Sequence, residues 1–237
     1  MRKSFSFYSN LRVSLLLILT TFLVSVSFSE SGLAQTSGHY LHPQGLPTGS
    51  LADVYRLGRP GQPDYFQPVQ FVLPPRLIIQ AARQDGFVGS EKVRQPSFGL
   101  IPGRVYRFRF SEIPFHEGAV LYPTVEIVNR LNPPTGREWD FPIEIEITQE
   151  DLELALSGNL VTRVIYLENS YNALPIDSDH QGHRVEIEAD NGTDPVAIAE
   201  SQGRIMAIFR MGSRVPDETP NAASSYYFGL SPFILHE

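Results

Sequence analysis

Short runs of alternating or continuous apolar residues, separated by Pro, Gly and polar residues, constrain the fold of this chain most strongly. The run Arg104–Phe110 alternates aromatic residues with Val and Arg, and the run Ile143–Ile147 alternates Ile with Glu. A period of two buries one set of side chains and exposes the other, as in a β-strand with one core face. Further strands are predicted at Val69–Leu73, Arg76–Ala81, Val120–Val128, Leu160–Leu167, Arg184–Ala189 and Arg204–Met211.

Two short helices are predicted among these strands. Thr148 is placed to cap the first helix, with Asp151 at its third position. Asp194 is placed to cap the second, and Gly203 to end it. Many short strands with two short helices predict a mostly β fold, a β-sandwich-like single domain over residues 69–212. An α+β arrangement is the alternative.

The charges on the outward faces of two strands suggest a pairing between them. Arg107 and Arg109 alternate with the aromatic residues of one strand, and Glu144 and Glu146 alternate with the isoleucines of another. Opposite charges on neighbouring strands attract each other. We therefore expect these glutamates to lie opposite the arginines.

The first 34 residues predict a secretory signal peptide. Basic residues precede the apolar run Val13–Val26, and Gly-Leu-Ala ends a polar stretch, so we expect cleavage after Ala34. An uncleaved anchor is the alternative, for which the run is short, since a membrane-spanning helix needs about 20 apolar residues. We expect an exported chain in the periplasm, in the cell envelope or secreted. It would touch the membrane only through this segment before cleavage.

The regions that flank the predicted domain differ from it in composition. Residues 35–68 are rich in Pro and Gly and are predicted to form an extended arm. Residues 213–237 are predicted to form a polar linker and an apolar tail, which either docks as a last strand or binds a partner. The chain has no Cys, which excludes disulfides, Cys-ligated metals and thiol nucleophiles. A packed core must therefore stabilise it.

The charge of the chain is acidic overall, with a net value of −7. Removal of the first 34 residues would make it more negative by two, which argues further against nucleic acid as a partner. All basic residues except Lys3 and Lys92 are arginines. This bias reflects either genome composition or the bidentate recognition of carboxylates or phosphates, which Arg provides and Lys does not.

The search for chemistry finds no sequence signature of a serine hydrolase, a metalloprotease or a nucleotide-binding loop. Enzyme activity is therefore not the favoured prediction, although a triad is defined by geometry rather than by sequence. No cofactor is predicted apart from a candidate divalent metal. Its candidate ligands, carboxylates and imidazoles in one polar loop, are Asp177, Asp179, His180 and His183. A solvent-exposed loop without a ligand is the alternative.

Trp139 and Arg137 are the candidate partner contacts. Trp139 is the only Trp of the chain and lies in a predicted loop beside Arg137. Trp is over-represented at the energetic centres of protein interfaces. A loop that packs on its own domain is the alternative.

Three stretches, Arg104–Arg130, Phe141–Pro175 and Asp194–Asp217, resemble a group of exported proteins of planctomycete-type bacteria. The resemblance leaves out the N-terminal arm and the C-terminal tail. It implies a bacterial envelope setting and a recurring fold unit, and it implies no catalytic residues.

These observations favour an exported, non-enzymatic structural or interaction module of the bacterial cell envelope. Its expected partner is an envelope protein or a polysaccharide. A periplasmic metal- or ligand-binding protein that uses the loop Asp177–His183 is the alternative. A third possibility is an envelope hydrolase, which would need facing carboxylates or a Ser–His pair in a cleft.

Overall fold

Two β-sheets that share one core dominate the fold, in a computed structural model that describes residues 47–58, 65–89, 95–169, 193–216, 226–227 and 230–236. All of these residues belong to the unit formed by residues 42–237. The helices in these ranges are α1 (Ser50–Leu57), α2 (Gln149–Leu156) and α3 (Pro195–Gln202), and Glu138–Asp140 forms a 3-10 turn. The strands are β1 (Gln67–Val72), β2 (Ile78–Arg83), β3 (Gly86–Val88), β4 (Ser97–Leu100), β5 (Arg104–Ser111), β6 (Thr124–Ile127), β7 (Ile143–Glu146), β8 (Val161–Glu168), β9 (Gly203–Met211) and β10 (Phe233–His236).

The sheets have four and six described strands. The smaller sheet has the order β10-β4-β1-β7, in which β1 and β7 are parallel and the other neighbours antiparallel. The larger sheet has the order β3-β2-β5-β6-β9-β8, with every described neighbour antiparallel. The predicted mostly β fold class is confirmed.

The core between the sheets is built around three phenylalanines. Phe108 of β5 contacts Phe71 of β1 and Phe98 of β4, with ring centroids 5.1 Å and 5.2 Å apart. All three rings are fully buried and meet edge to face. Since Phe108 belongs to the six-stranded sheet and its two neighbours to the other, these contacts hold the sheets face to face. The prediction from the alternation in Arg104–Phe110 is confirmed, because the aromatic side chains of this strand face the core.

Helix α2 begins where the sequence predicts. The Thr148 hydroxyl accepts a hydrogen bond from the Asp151 backbone N–H, and an Asp151 carboxylate oxygen accepts one from the Thr148 N–H at 2.8 Å. The same carboxylate receives two bonds of 3.0 Å from Arg163 of β8. Because β7 precedes α2 and β8 follows it, Asp151 fastens the helix where the chain passes from one sheet to the other.

Helix α3 also confirms its predicted ends. The Asp194 side chain accepts a 2.9 Å hydrogen bond from the Val196 N–H, Pro195 is the first helical residue, and Gly203 is the C-cap. Gly203 then starts β9 directly, opposite Glu168 of β8. The helix and the strand therefore follow each other without a loop.

Gly203→Ala is expected to lower the free energy of unfolding by about 2–3 kcal/mol, because it forces two strands apart. A Cβ there would overlap the Leu167 carbonyl oxygen and lie 2.9 Å from the Glu168 Cα, and backbone atoms cannot rotate away. Urea unfolding measures the loss. Gly212→Ala is the control, since its Cβ would meet nothing closer than 3.7 Å. Equal stabilities of the two variants would contradict the close approach of β8 and β9.

The described residues of the region 35–68 include a helix that the sequence did not predict. This helix is α1, and β1 begins at Gln67, inside the same region. The first turn of α1 is held by a carboxylate of β6, since Glu126 accepts hydrogen bonds from the backbone N–H groups of Gly49 and Ala52. No local side chain caps the helix, so the residues around it gave no sign of its start.

The structure also decides two predictions about which strands are neighbours. The predicted pairing of Glu144 and Glu146 with Arg107 and Arg109 is wrong, because β7 and β5 belong to different sheets. The C-terminal tail docks as a strand, with Phe233–His236 antiparallel to β4.

The predicted signal segment lies outside the described residues. Within them, no helix combines the length and the apolar character that crossing a membrane requires.

Candidate functional site

The predicted metal ligands lie outside the part of the chain that the structure describes. They are Asp177, Asp179, His180 and His183. Among the residues that are described, no three His, Asp or Glu side chains come together in a way that could hold a metal ion. The metal-binding loop therefore stays a prediction.

Trp139 and Arg137 lie on the 3-10 turn beside the four-stranded sheet. The Trp139 ring stacks on the His236 ring, with centroids 4.1 Å apart and planes 17° from parallel. It also passes over Gly99 of β4, where an added Cβ would lie 3.4 Å from its Cη2 atom. Arg137 is exposed and pairs with Asp140 at 2.7 Å. One face of Trp139 is thus engaged within the chain, and a role for either residue in partner binding stays a prediction.

A cluster of aromatic rings packs on the outer side of the six-stranded sheet. Four rings form a closed circuit in which each contacts two others, with centroids 5.4–6.3 Å apart. Phe87 comes from β3, Tyr122 from the segment between β5 and β6, and the other two rings from the C-terminal segment. Three arginines lie over these rings. We call the set the aromatic–arginine surface: Phe87, Arg107, Arg109, Tyr122, Arg214, Tyr226 and Tyr227.

Arg107 fixes the C-terminal segment to this surface. Its guanidinium carbon lies 4.0 Å from the centroid of the Tyr226 ring. Its Nη1 donates a 2.7 Å hydrogen bond to the Tyr122 carbonyl, and its Nε and Nη2 donate to the Tyr226 carbonyl at 3.3 Å and 3.2 Å. The planar guanidinium group of Arg107 therefore binds the backbone at Tyr122 and at Tyr226, and it also packs on the Tyr226 ring.

Arg109 and Arg214 are placed differently from Arg107. Arg109 lies over the Phe87 ring at 5.0 Å, and the exposed Arg214 lies over the Tyr226 ring at 5.5 Å. Neither forms a salt bridge with a carboxylate of the described residues, whereas Arg56, Arg137, Arg163 and Arg210 all do. Arg109 and Gln80 are register partners on neighbouring strands. Arg109 Nε and Gln80 Oε1 are both buried, and neither atom has a hydrogen-bond partner among the described residues. Arg109 and Arg214 thus carry positive charge that no carboxylate of the described residues neutralises.

Burial shifts the pKa values of the residues at the centre of the surface. It lowers the pKa of Arg107 to about 10, and the neighbouring Arg214 cation acts in the same direction. Burial also raises the pKa of Tyr226 and of Tyr227. At neutral pH Arg107 is therefore cationic and both tyrosines are neutral hydroxyl groups, so the surface is positive on a chain that is acidic overall.

An open groove of about 680 Å³ lies along the same C-terminal segment. The turn Arg83–Asp85 forms one wall and Leu230–Phe233 the other. Ala82, which also lines it, is the register partner of Phe87. The groove and the aromatic–arginine surface are therefore neighbours on the β2–β3 hairpin.

Sequence reasoning found only part of this surface. The alternation of Arg104–Phe110 correctly turned Arg107 and Arg109 outward, and the excess of Arg over Lys pointed to bidentate recognition as one of two explanations. Neither pattern indicated that Phe87, Tyr122 and Tyr226, which lie far apart in the chain, come into contact. The tyrosines at the start of the apolar tail were the available signal.

Comparison of the chain with protein-family models, with curated proteins and with solved structures found no match to any of them.

Proposed function

We propose that this chain is an exported, non-enzymatic binding module of the bacterial cell envelope, which holds an acidic partner at the aromatic–arginine surface. One observation carries the proposal: three guanidinium groups lie over a circuit of four aromatic rings, on a chain whose net charge is −7. A local positive surface on an acidic protein attracts anionic groups and repels cationic ones. The strong preference for Arg over Lys fits this chemistry.

The chemistry of the surface favours recognition over catalysis. A general acid or base works best when its pKa lies near the working pH. Here the pKa of Arg107 is about 10, and the pKa values of Tyr226 and Tyr227 are raised above their ordinary value near 10. These groups keep one charge state around pH 7. They are suited to hold a charged group in place rather than to transfer protons to it.

The envelope setting rests on the predicted signal peptide and on the resemblance to exported bacterial proteins. A module that works outside the cell without disulfides needs a stable scaffold, and the core between the two sheets provides one. Three residues of the aromatic–arginine surface, Phe87, Arg107 and Arg109, belong to strands of that scaffold, which gives their side chains defined positions.

Retention on beads that carry carboxymethyl groups tests the proposal. An acidic protein binds an acidic matrix only through a local basic surface, so we expect the chain to be retained at low salt and released as salt screens the charges. The double variant Arg109→Gln with Arg214→Gln should lower the affinity for the beads at least about a hundredfold, since each lost charged hydrogen bond is worth about 1.5–3 kcal/mol.

The double variant Arg56→Gln with Arg204→Gln is the matched control for this experiment. It also removes two positive charges, but Arg56 lies on α1 and pairs with Asp53, and Arg204 is exposed at the start of β9. The control should be retained like the unmodified chain. Retention of the Arg109 and Arg214 double variant at the level of the unmodified chain would refute the proposal, as would an equal loss in the control. Fractionation of cells that express the chain checks the envelope location separately.

A further inference from the structure

The rings of the aromatic–arginine surface leave room for an apolar partner. Phe87, Tyr122 and Tyr227 are each half-buried, so part of each residue is open to solvent, while Tyr226 is buried. A sugar ring has one face made of C–H groups, which packs against the flat face of an aromatic ring. Tyrosine hydroxyl groups at the margin can at the same time bond sugar hydroxyl groups.

The arginines stand directly beside these rings. Arg109 lies 5.0 Å from the centroid of the half-buried Phe87 ring, and Arg214 is exposed next to the Tyr226 ring. A guanidinium group forms two parallel hydrogen bonds to a carboxylate. A ligand that carries a carboxylate within a bond or two of a sugar ring fits both features. A uronic acid has this structure, because its carboxylate is attached directly to the ring.

We infer that the acidic partner is a carboxylated polysaccharide built of uronic acid units, and this inference rests on the proposed function. Sugar rings of the polymer pack on Phe87 and Tyr227, and the carboxylates of these units accept hydrogen bonds from Arg109 and Arg214. Nucleic acid also offers rings and anions. However, its binding requires many phosphate contacts along a basic track, and the net charge of −7 opposes them.

Calorimetric titration with sodium polygalacturonate tests the inference, with three other polymers as arms. We expect binding to polygalacturonate, weaker binding to dextran sulfate through charge alone, and weak or no binding to methyl-esterified polygalacturonate and to neutral dextran. Esterification removes the charge and keeps the sugar ring, whereas dextran sulfate keeps the charge and changes the anion. A single-stranded DNA oligonucleotide serves as a fifth arm, and tighter binding to it would overturn the inference.

Variants separate the roles of cation and ring. Arg214→Gln should weaken binding of polygalacturonate by about tenfold to a hundredfold, and Arg109→Lys should weaken it although the charge is kept. Tyr227→Leu should lower affinity for polygalacturonate by a larger factor than it lowers retention on carboxymethyl beads, because the carboxymethyl groups need no ring contact. Arg56→Gln, which lies elsewhere on the chain, should bind normally. Because Arg214 is exposed, its variant tests the inference even if Arg109 variants fold poorly.

The outcomes distinguish this inference from the proposed function. Retention on carboxymethyl beads without binding to polygalacturonate would overturn the inference and leave the proposed function standing. Tighter binding of dextran sulfate than of polygalacturonate would do the same. Failure on the beads and with every polymer would overturn both. Unchanged polysaccharide affinity in Tyr227→Leu would show that charge alone attracts the polymer, and would also overturn the inference.

Discussion

Glu126→Gln is expected to lower the free energy of unfolding by about 3–5 kcal/mol, the cost of leaving a buried charge without its partner. Glu126 is 1% exposed, and its carboxylate lies 3.0 Å from Nη1 of Arg210, a side chain that is itself 10% exposed. The same carboxylate accepts the N–H groups of Gly49 and Ala52 at 3.0 Å and 2.8 Å. A neutral amide would leave Arg210 uncompensated and would weaken the start of α1, where a negative charge is favourable.

Asp53→Asn provides the contrasting case on the same helix. Asp53 and Arg56 form a salt bridge of 2.7 Å, but both side chains are 61% exposed, so its loss should cost at most about 1 kcal/mol. Urea unfolding gives both values. Amide hydrogen exchange should also show faster exchange in α1 for the Glu126 variant than for the Asp53 variant. A Glu126→Gln protein as stable as the Asp53→Asn protein would show that Arg210 does not need its counter-ion.

The elements that could be predicted from sequence are those whose determinants are contiguous. Thr148 and Asp151 are three residues apart, so the capping box that starts α2 can be recognised in any context that allows a helix. The alternation in Arg104–Phe110 likewise needs no partner to show which side chains face the core. Period and capping are local properties, and they were enough to predict the fold class.

The features that could not be predicted depend on which strands become neighbours. The cap of α1 comes from Glu126, 77 residues after Gly49, and nothing near α1 indicates it. The expected pairing of Glu144 with Arg107 failed because alternation shows which way a side chain points but not the sheet to which its strand belongs. Tyr226 meets Arg107 across 119 residues for the same reason. Most contacts of the candidate site join segments that lie far apart in the chain, and this is why only Arg107 and Arg109 could be anticipated.

The removal of one core ring should have an equally large effect. Phe98→Ala is expected to cost about 3–5 kcal/mol, since it removes a buried aromatic side chain and leaves a cavity. Phe98 is 0% exposed and touches Phe71 and Phe108 in the core between the sheets. Its ring also lies 6.0 Å from that of Phe233, the first residue of β10. The variant should therefore weaken the contact between the sheets and the docking of the C-terminal strand together.

The single Trp of the chain makes this double effect measurable. Trp139 stacks on His236 of β10, so its fluorescence reports whether that strand is docked, while circular dichroism follows the sheets. In Phe98→Ala the change in Trp139 emission should occur at a lower urea concentration than the loss of β-structure. Phe115→Ala is the matched control, because Phe115 is 90% exposed and its removal should change stability by less than about 0.5 kcal/mol. Coincident transitions in Phe98→Ala would mean that β10 unfolds only with the whole sandwich, and the ring of Phe98 would then stabilise one cooperative unit rather than a strand that can detach.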